Sequence, residues 1–162
     1  MTTTALIVFT YILSAVGVGA LFVPRLPAVV ASFAALVCAH FAGAVYVDSK
    51  TLIFWGLATA IVLGLRFLQP KSLVMARQGH AYVALGAIAG AVLGYAVSAT
   101  AASIILGSAI AAFLGAVAYM RTPASPRFTI ASAQFVEYLC AKGLPAVVAT
   151  SMCAISVASV IS

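Results

Sequence analysis

The chain has 162 residues, of which 65% are hydrophobic and 6% charged, and its mean hydropathy is +1.25. Soluble domains carry about a quarter charged residues, so this composition excludes a water-borne globular domain, which would lack the polar surface to cover itself. The net charge of +6 comes from Lys and Arg set singly or in loose groups at the ends of apolar blocks. Without a dense basic run it argues against a nucleic-acid partner and for loop charge beside lipid headgroups.

The apolar blocks run about 17–20 residues, the length of a helix crossing roughly 30 Å of hydrocarbon. Period-two alternation, which an outer-membrane barrel requires, is absent. The predicted fold is therefore all-α, a single polytopic membrane domain over residues 1–162 with about six transmembrane helices. The first span covers 5–23; no Lys or Arg precedes it, so it lacks the basic n-region of a signal peptide and is expected to persist. Pro24-Arg25-Leu26-Pro27 ends it in a tight hairpin, since proline suits a first helical turn and not an interior.

The second span is placed at 28–47, closing at Asp48-Ser49-Lys50, and the third at 52–68. Trp55 near the start of the third reads as an interfacial anchor, and Arg66 near its end can snorkel toward headgroups. A polar stretch follows over 69–80. Residues 81–120 are then almost unbroken apolar and small residues, and as one helix would measure about 60 Å, twice the membrane core. The chain must fold back once, at Ser98-Ala99-Thr100, giving spans over 81–97 and 101–119.

A basic loop over 121–127 precedes a mildly amphipathic segment, 128–142, with Phe128, Ala131, Phe135 and Leu139 on one face and Glu137 opposite. This segment either lies in the interface or begins one long bent helix. Gly143 and Pro145 predict a kink before a last span over 144–161. With six spans, Arg25, Arg66, Lys71, Arg77, Arg121 and Arg127 collect on one side and Lys50 on the other, Lys142 being unassigned. The positive-inside rule makes the first side cytoplasmic and leaves both termini outside.

The sharpest motif is Gly86, Gly90 and Gly94, spaced by four and echoed by Ser103, Gly107, Ala111 and Gly115. Small residues at that spacing form a groove along one helix face, where two backbones can approach closely. Three uses are open: packing of the two helices on each other, a self-association face, or the lining of a pore.

The run Gly79-His80-Ala81-Tyr82-Val83-Ala84-Leu85-Gly86-Ala87-Ile88-Ala89-Gly90, followed by Ile105-Leu106-Gly107 and Phe113-Leu114-Gly115-Ala116, resembles the small bacterial glycine-zipper membrane protein family of unknown function numbered 456. The resemblance covers most of the chain, including the proline-bounded first hairpin and Lys142 before the last apolar stretch. It implies a protein of the bacterial inner (cytoplasmic) membrane and supplies no activity. The first turn departs from it, with prolines where the family tends to place glycines. Arg66 stands where an acidic residue is more typical, so no role of that acid transfers.

Reactive side chains are scarce. Asp48 and Glu137 are the two carboxylates, one in a loop and one in the last region, which argues against an acid/base pair. Cys38, Cys140 and Cys153 form no CxxC pair and read as small buried hydrophobes. Cys38 and His40 point about 200° apart on one helix, so they make neither a metal pair nor a nucleophile and base with each other, which leaves pairing across helices open. No phosphate-cradling GxxxxGK[ST] run is present. The expectation is no enzyme, no cofactor and no metal site.

Polar groups at membrane depth are functional candidates by default. Here they are His40, either a neutral imidazole hydrogen-bonded to a neighbouring helix or a proton relay, and Gln134, Glu137 and Lys142, which with Tyr138 would bound a polar path if the last region is buried. Glu137 and Lys142 stand about 140° apart on an α-helix and so are not a regular ion pair. Two functions follow: assembly with itself or with membrane protein partners through helix packing, or a small channel or transporter for an ion or small solute. The lipid bilayer is the common partner of both.

Overall fold

The computed structural model describes residues 2–23, 28–44, 47–69, 79–123 and 132–161. The described residues are helical throughout, joined by short turns, with no strand among them. The helices are α1 (Thr2–Ala20), α2 (Ala28–Phe41), α3 (Ser49–Leu68), α4 (His80–Val97), α5 (Ala101–Met120), α6 (Ala133–Tyr138) and α7 (Leu144–Ile161). A π-helical turn, Leu139–Gly143, joins α6 to α7 without a break. Five helices are long and apolar enough to cross a membrane, counting Ala133–Ile161 as one, while α2 is shorter.

Local chemistry sets several ends. Asp48 accepts from Ser49 N–H at the start of α3, Thr100 from Ser103 N–H at the start of α5, and Ser132 from Phe135 N–H at the start of α6. Each satisfies one of the backbone donors that a helix leaves open at its first turn. The fold-back over Ser98-Ala99-Thr100 falls where it was expected, between α4 and α5.

The second span does not reach Val47. α2 stops at Phe41, where Ala44 N–H bonds to the Ala39 carbonyl and Gly43 N–H to the His40 carbonyl, with Gly43 at φ +82°. That is the paired-bond helix terminator that favours glycine at its left-handed position. In the last region the structure takes the second of the two alternatives, one long helix. Residues 133–161 form one helix of 29 residues, with no separate interfacial segment before 144–161. Pro145 has no N–H and would crowd the Ala141 carbonyl in a regular α-turn. The chain accommodates it by widening one turn, in which Leu144 N–H bonds five residues back to Leu139 O. Residues 128–131 lie outside the described part.

This long helix is the centre of the bundle. Half of its most apolar window is buried, against 17–33% for the other four long helices. α1 and α2 pack on α7 as a pair, α4 and α5 meet it as a hairpin, and α3 touches both α2 and α7. The glycine-laddered hairpin is therefore tight but flanks the centre rather than forming it. Trp55, near the start of α3, is 4% exposed and belongs to the hydrophobic core. Outward faces carry Phe9, Ile53, Leu57, Val92, Leu106 and Ile110, an apolar surface suited to lipid.

Candidate functional site

The ladder residues of α4 and α5 face one another. A Cβ added to Gly86 would fall on the Ala111 carbonyl oxygen, one on Gly90 on that of Gly107, and one on Gly94 on that of Ser103. Gly115 stands in the same relation to the Tyr82 carbonyl. These partners step evenly outward from the Ser98–Ala99 turn, so the two helices keep one antiparallel register along their length. At the turn end of the ladder, Ser103 Oγ donates to the carbonyls of Ser98 and Thr100, closing the turn.

Around α7 the core is laced with short polar side chains. Ser151 Oγ lies 3.0 Å from Ser108 Oγ of α5, and Ser156 Oγ lies 3.2 Å from Ser14 Oγ of α1. Cys153 Sγ is 3.1 Å from Ser32 Oγ of α2, and Thr59 Oγ1 of α3 donates to Met152 Sδ at 3.9 Å. Hydrogen bonds between helices are among the forces that fix helix orientation in lipid, where burial of hydrocarbon does not discriminate. α7 thus holds a polar contact to each of α1, α2, α3 and α5. The signal was in the sequence, as Thr150, Cys153, Ser156 and Ser159 recur every third residue.

At the other end of the long helix lies a charged cluster. Lys142, in the π-helical turn, is 2% exposed. The turn packs against α3, α4 and α5, which bring Arg66 and His80, both half-buried, toward it. Lys142 and Arg66 both act electrostatically on His80, and Arg66 on Lys142. Tyr138, one turn before Lys142, is 6% exposed and stacks on Tyr119, with ring centres 6.0 Å apart. Its hydroxyl sits directly on Gly79, where any Cβ would collide with it and with the Tyr119 ring. Gly79 has φ +73° and caps the N-terminus of α4. Both conformation and space therefore require glycine there. Among the described residues, neither Tyr138 Oη nor His80 Nδ1 has a hydrogen-bond partner.

The candidate polar path is not one site. His40 lies in the last turn of α2, and its Nδ1 donates to the Val47 carbonyl at 2.6 Å, bridging the turn before α3. Because a carbonyl only accepts, that ring nitrogen carries the proton. The turn that carries Lys142 packs on α3, and Arg66 at the far end of that helix, about 30 Å from its start, acts on Lys142, so His40 and Lys142 lie toward opposite ends of α3. Gln134 is exposed and Glu137 half-exposed. Lys142 is buried inside the bundle instead of meeting headgroups beside Glu137. The π-turn rotates less per residue than an α-helix, which brings the directions of Glu137 and Lys142 closer than about 140°. Asp48, the other carboxylate, caps the far end of α3.

Two other features have different chemistry. A groove of about 720 Å³ opens between α1, α4 and α7, walled mainly by hydrocarbon such as Val18, Ile88 and Val157, and suits an apolar chain rather than a charged ligand. Among the described residues, no three His, Cys, Asp or Glu side chains gather to hold a metal ion.

Long apolar helices, an apolar outer surface and polar contacts reserved for the interior define a helical membrane protein. No family model matches this chain, and no curated protein or solved structure matches it. Its function must be read from its own residues.

Proposed function

We propose that the protein is a small transport protein or channel of the bacterial inner membrane, with its basic loops cytoplasmic and Lys142 as its working intramembrane group. The observation that carries this reading is the burial of Lys142, 2% exposed, at the widened turn of the central helix. A charged side chain taken out of water is expensive, and such groups inside membrane helices are kept where a solute or ion is handled. π-Helical turns occur frequently at functional sites.

Assembly through the glycine ladder has less support, because the ladder faces of α4 and α5 are turned toward each other. Assembly with another membrane helix keeps one specific feature in its favour, the apolar groove between α1, α4 and α7.

The test is flux. Protein in liposomes is screened against protons, cations and anions, beside Lys142→Gln and the exposed-charge control Lys50→Gln. Flux lost in the first variant and kept in the second supports transport. Silence of correctly folded protein across the panel removes it and favours assembly.

A further inference from the structure

We propose that the α4 N-terminus, Tyr138 and Lys142, with Arg66 and His80 at the margin, bind a small oxyanion, a carboxylate or a phosphate group. This rests on the transport reading for its physiological use, but the binding stands on the site alone. An α-helix presents unbonded N–H groups and a partial positive charge at its first turn, a preformed anion cradle. α4 has 18 residues and begins at this point.

A helix end alone would say little. Here the Tyr138 hydroxyl, on a residue 6% exposed, is set directly on the Gly79 cap and has no partner among the described residues. A buried hydroxyl without a partner is costly, and an oxyanion is an acceptor that would satisfy it. His80 Nδ1 adds a second buried atom of the same kind, able to donate in one tautomer. Lys142 and Arg66 supply charge of one sign to this end of the bundle, where the half-exposed Glu137 lies five residues before Lys142. A cation would be repelled by this set. An oxyanion matches it in charge and accepts from ammonium, guanidinium, hydroxyl and backbone N–H alike.

The bound oxygen atoms could belong to a free solute or to a lipid headgroup, and binding distinguishes them. Protein purified in a sugar-based, phosphate-free detergent is titrated with inorganic phosphate, with acetate, and with a short-chain phosphatidic acid, at constant ionic strength set by chloride. Calorimetry and thermal unfolding are read together. Saturable binding that weakens by about tenfold or more in Tyr138→Phe and in Lys142→Gln, but not in Lys50→Gln, is the expected result. Tyr138→Phe removes one hydroxyl while keeping the ring stacked on Tyr119, so it tests the site even if the Lys142 variant fails to fold. Tighter binding of phosphatidic acid than of phosphate or acetate assigns the site to a headgroup, and the reverse to a free solute. No saturable binding of any of the three, or binding indifferent to Tyr138→Phe, overturns the proposal. Binding without flux in liposomes would retain the site and remove transport, whereas Lys142-dependent flux with no saturable binding would retain transport and overturn the site.

Discussion

Gly90 and Gly107 lie so close that a Cβ on either would land on the other's carbonyl oxygen. The contact is backbone against backbone, so neither helix can yield by turning a side chain. Gly90→Ala should lower stability by about 1–3 kcal/mol, the usual cost of forcing atoms into a filled site. Gly64→Ala, with open space around it, should be neutral or stabilising by about 0.5–1 kcal/mol because alanine favours the helix. Thermal unfolding in detergent measures both. Equal responses would falsify the packing role of the ladder.

The pair Ser108–Ser151 ties α5 to α7 at 3.0 Å, with both residues fully buried. A double-mutant cycle with alanine at each position should return a coupling of about 0.6 kcal/mol, typical of hydrogen bonds between membrane helices. Strictly additive effects would mean that the two hydroxyls do not interact.

His40 closes the turn between α2 and α3 through Val47, away from the charged cluster. His40→Leu should therefore cost about 0.5–1.5 kcal/mol of stability, the net worth of one hydrogen bond. Flux per folded molecule should be unchanged. A transport defect at preserved stability would return His40 to the conduction path.

Lys142 is held against its own solvation. Lys142→Met keeps the length of the side chain and removes the charge, so it should raise the melting temperature, by the equivalent of about 1 kcal/mol, while abolishing flux. A large loss of stability instead would show that the ammonium group holds the fold together.

The orientation is open to a direct check. A reporter joined after Arg77 should read as cytoplasmic, because six of the basic residues fall on that side of a six-span topology and one, Lys50, on the other. An external signal at Arg77 would invert the topology.

Which parts of this molecule were legible in the sequence follows from how local their causes are. The fold-back at Ser98-Ala99-Thr100 was readable because length alone forbids a single helix there. The end of α2 was readable in principle, since Gly43 was the available signal, but hydropathy continues through Val47 and masked it. The burial of Trp55 was not legible, because tryptophan suits both interface and core and only its neighbours show that it packs inward. The cluster at Lys142 was legible only along its own helix, where Tyr138 stands four residues before it: Arg66 and the adjacent pair Gly79-His80 come from two other segments, and no spacing rule joins them to it. Pro145 announced a disturbance, but a kink and a widened turn answer the same steric problem.

That widened turn has a rotational consequence. It sets the angular phase between the half of the long helix that carries Tyr138 and the half that carries Ser151 and Ser156. Were the five residues of the turn at Leu139–Gly143 wound into regular α geometry with none removed, everything beyond it would swing by about 100°, one residue's turn, relative to the half before it. With Tyr138 kept on Gly79, Ser151 would then leave Ser108 and Ser156 would leave Ser14. The hydroxyl contacts around α7 therefore act as a detent. They hold the helix at one angular setting and keep Lys142 pointed into the bundle.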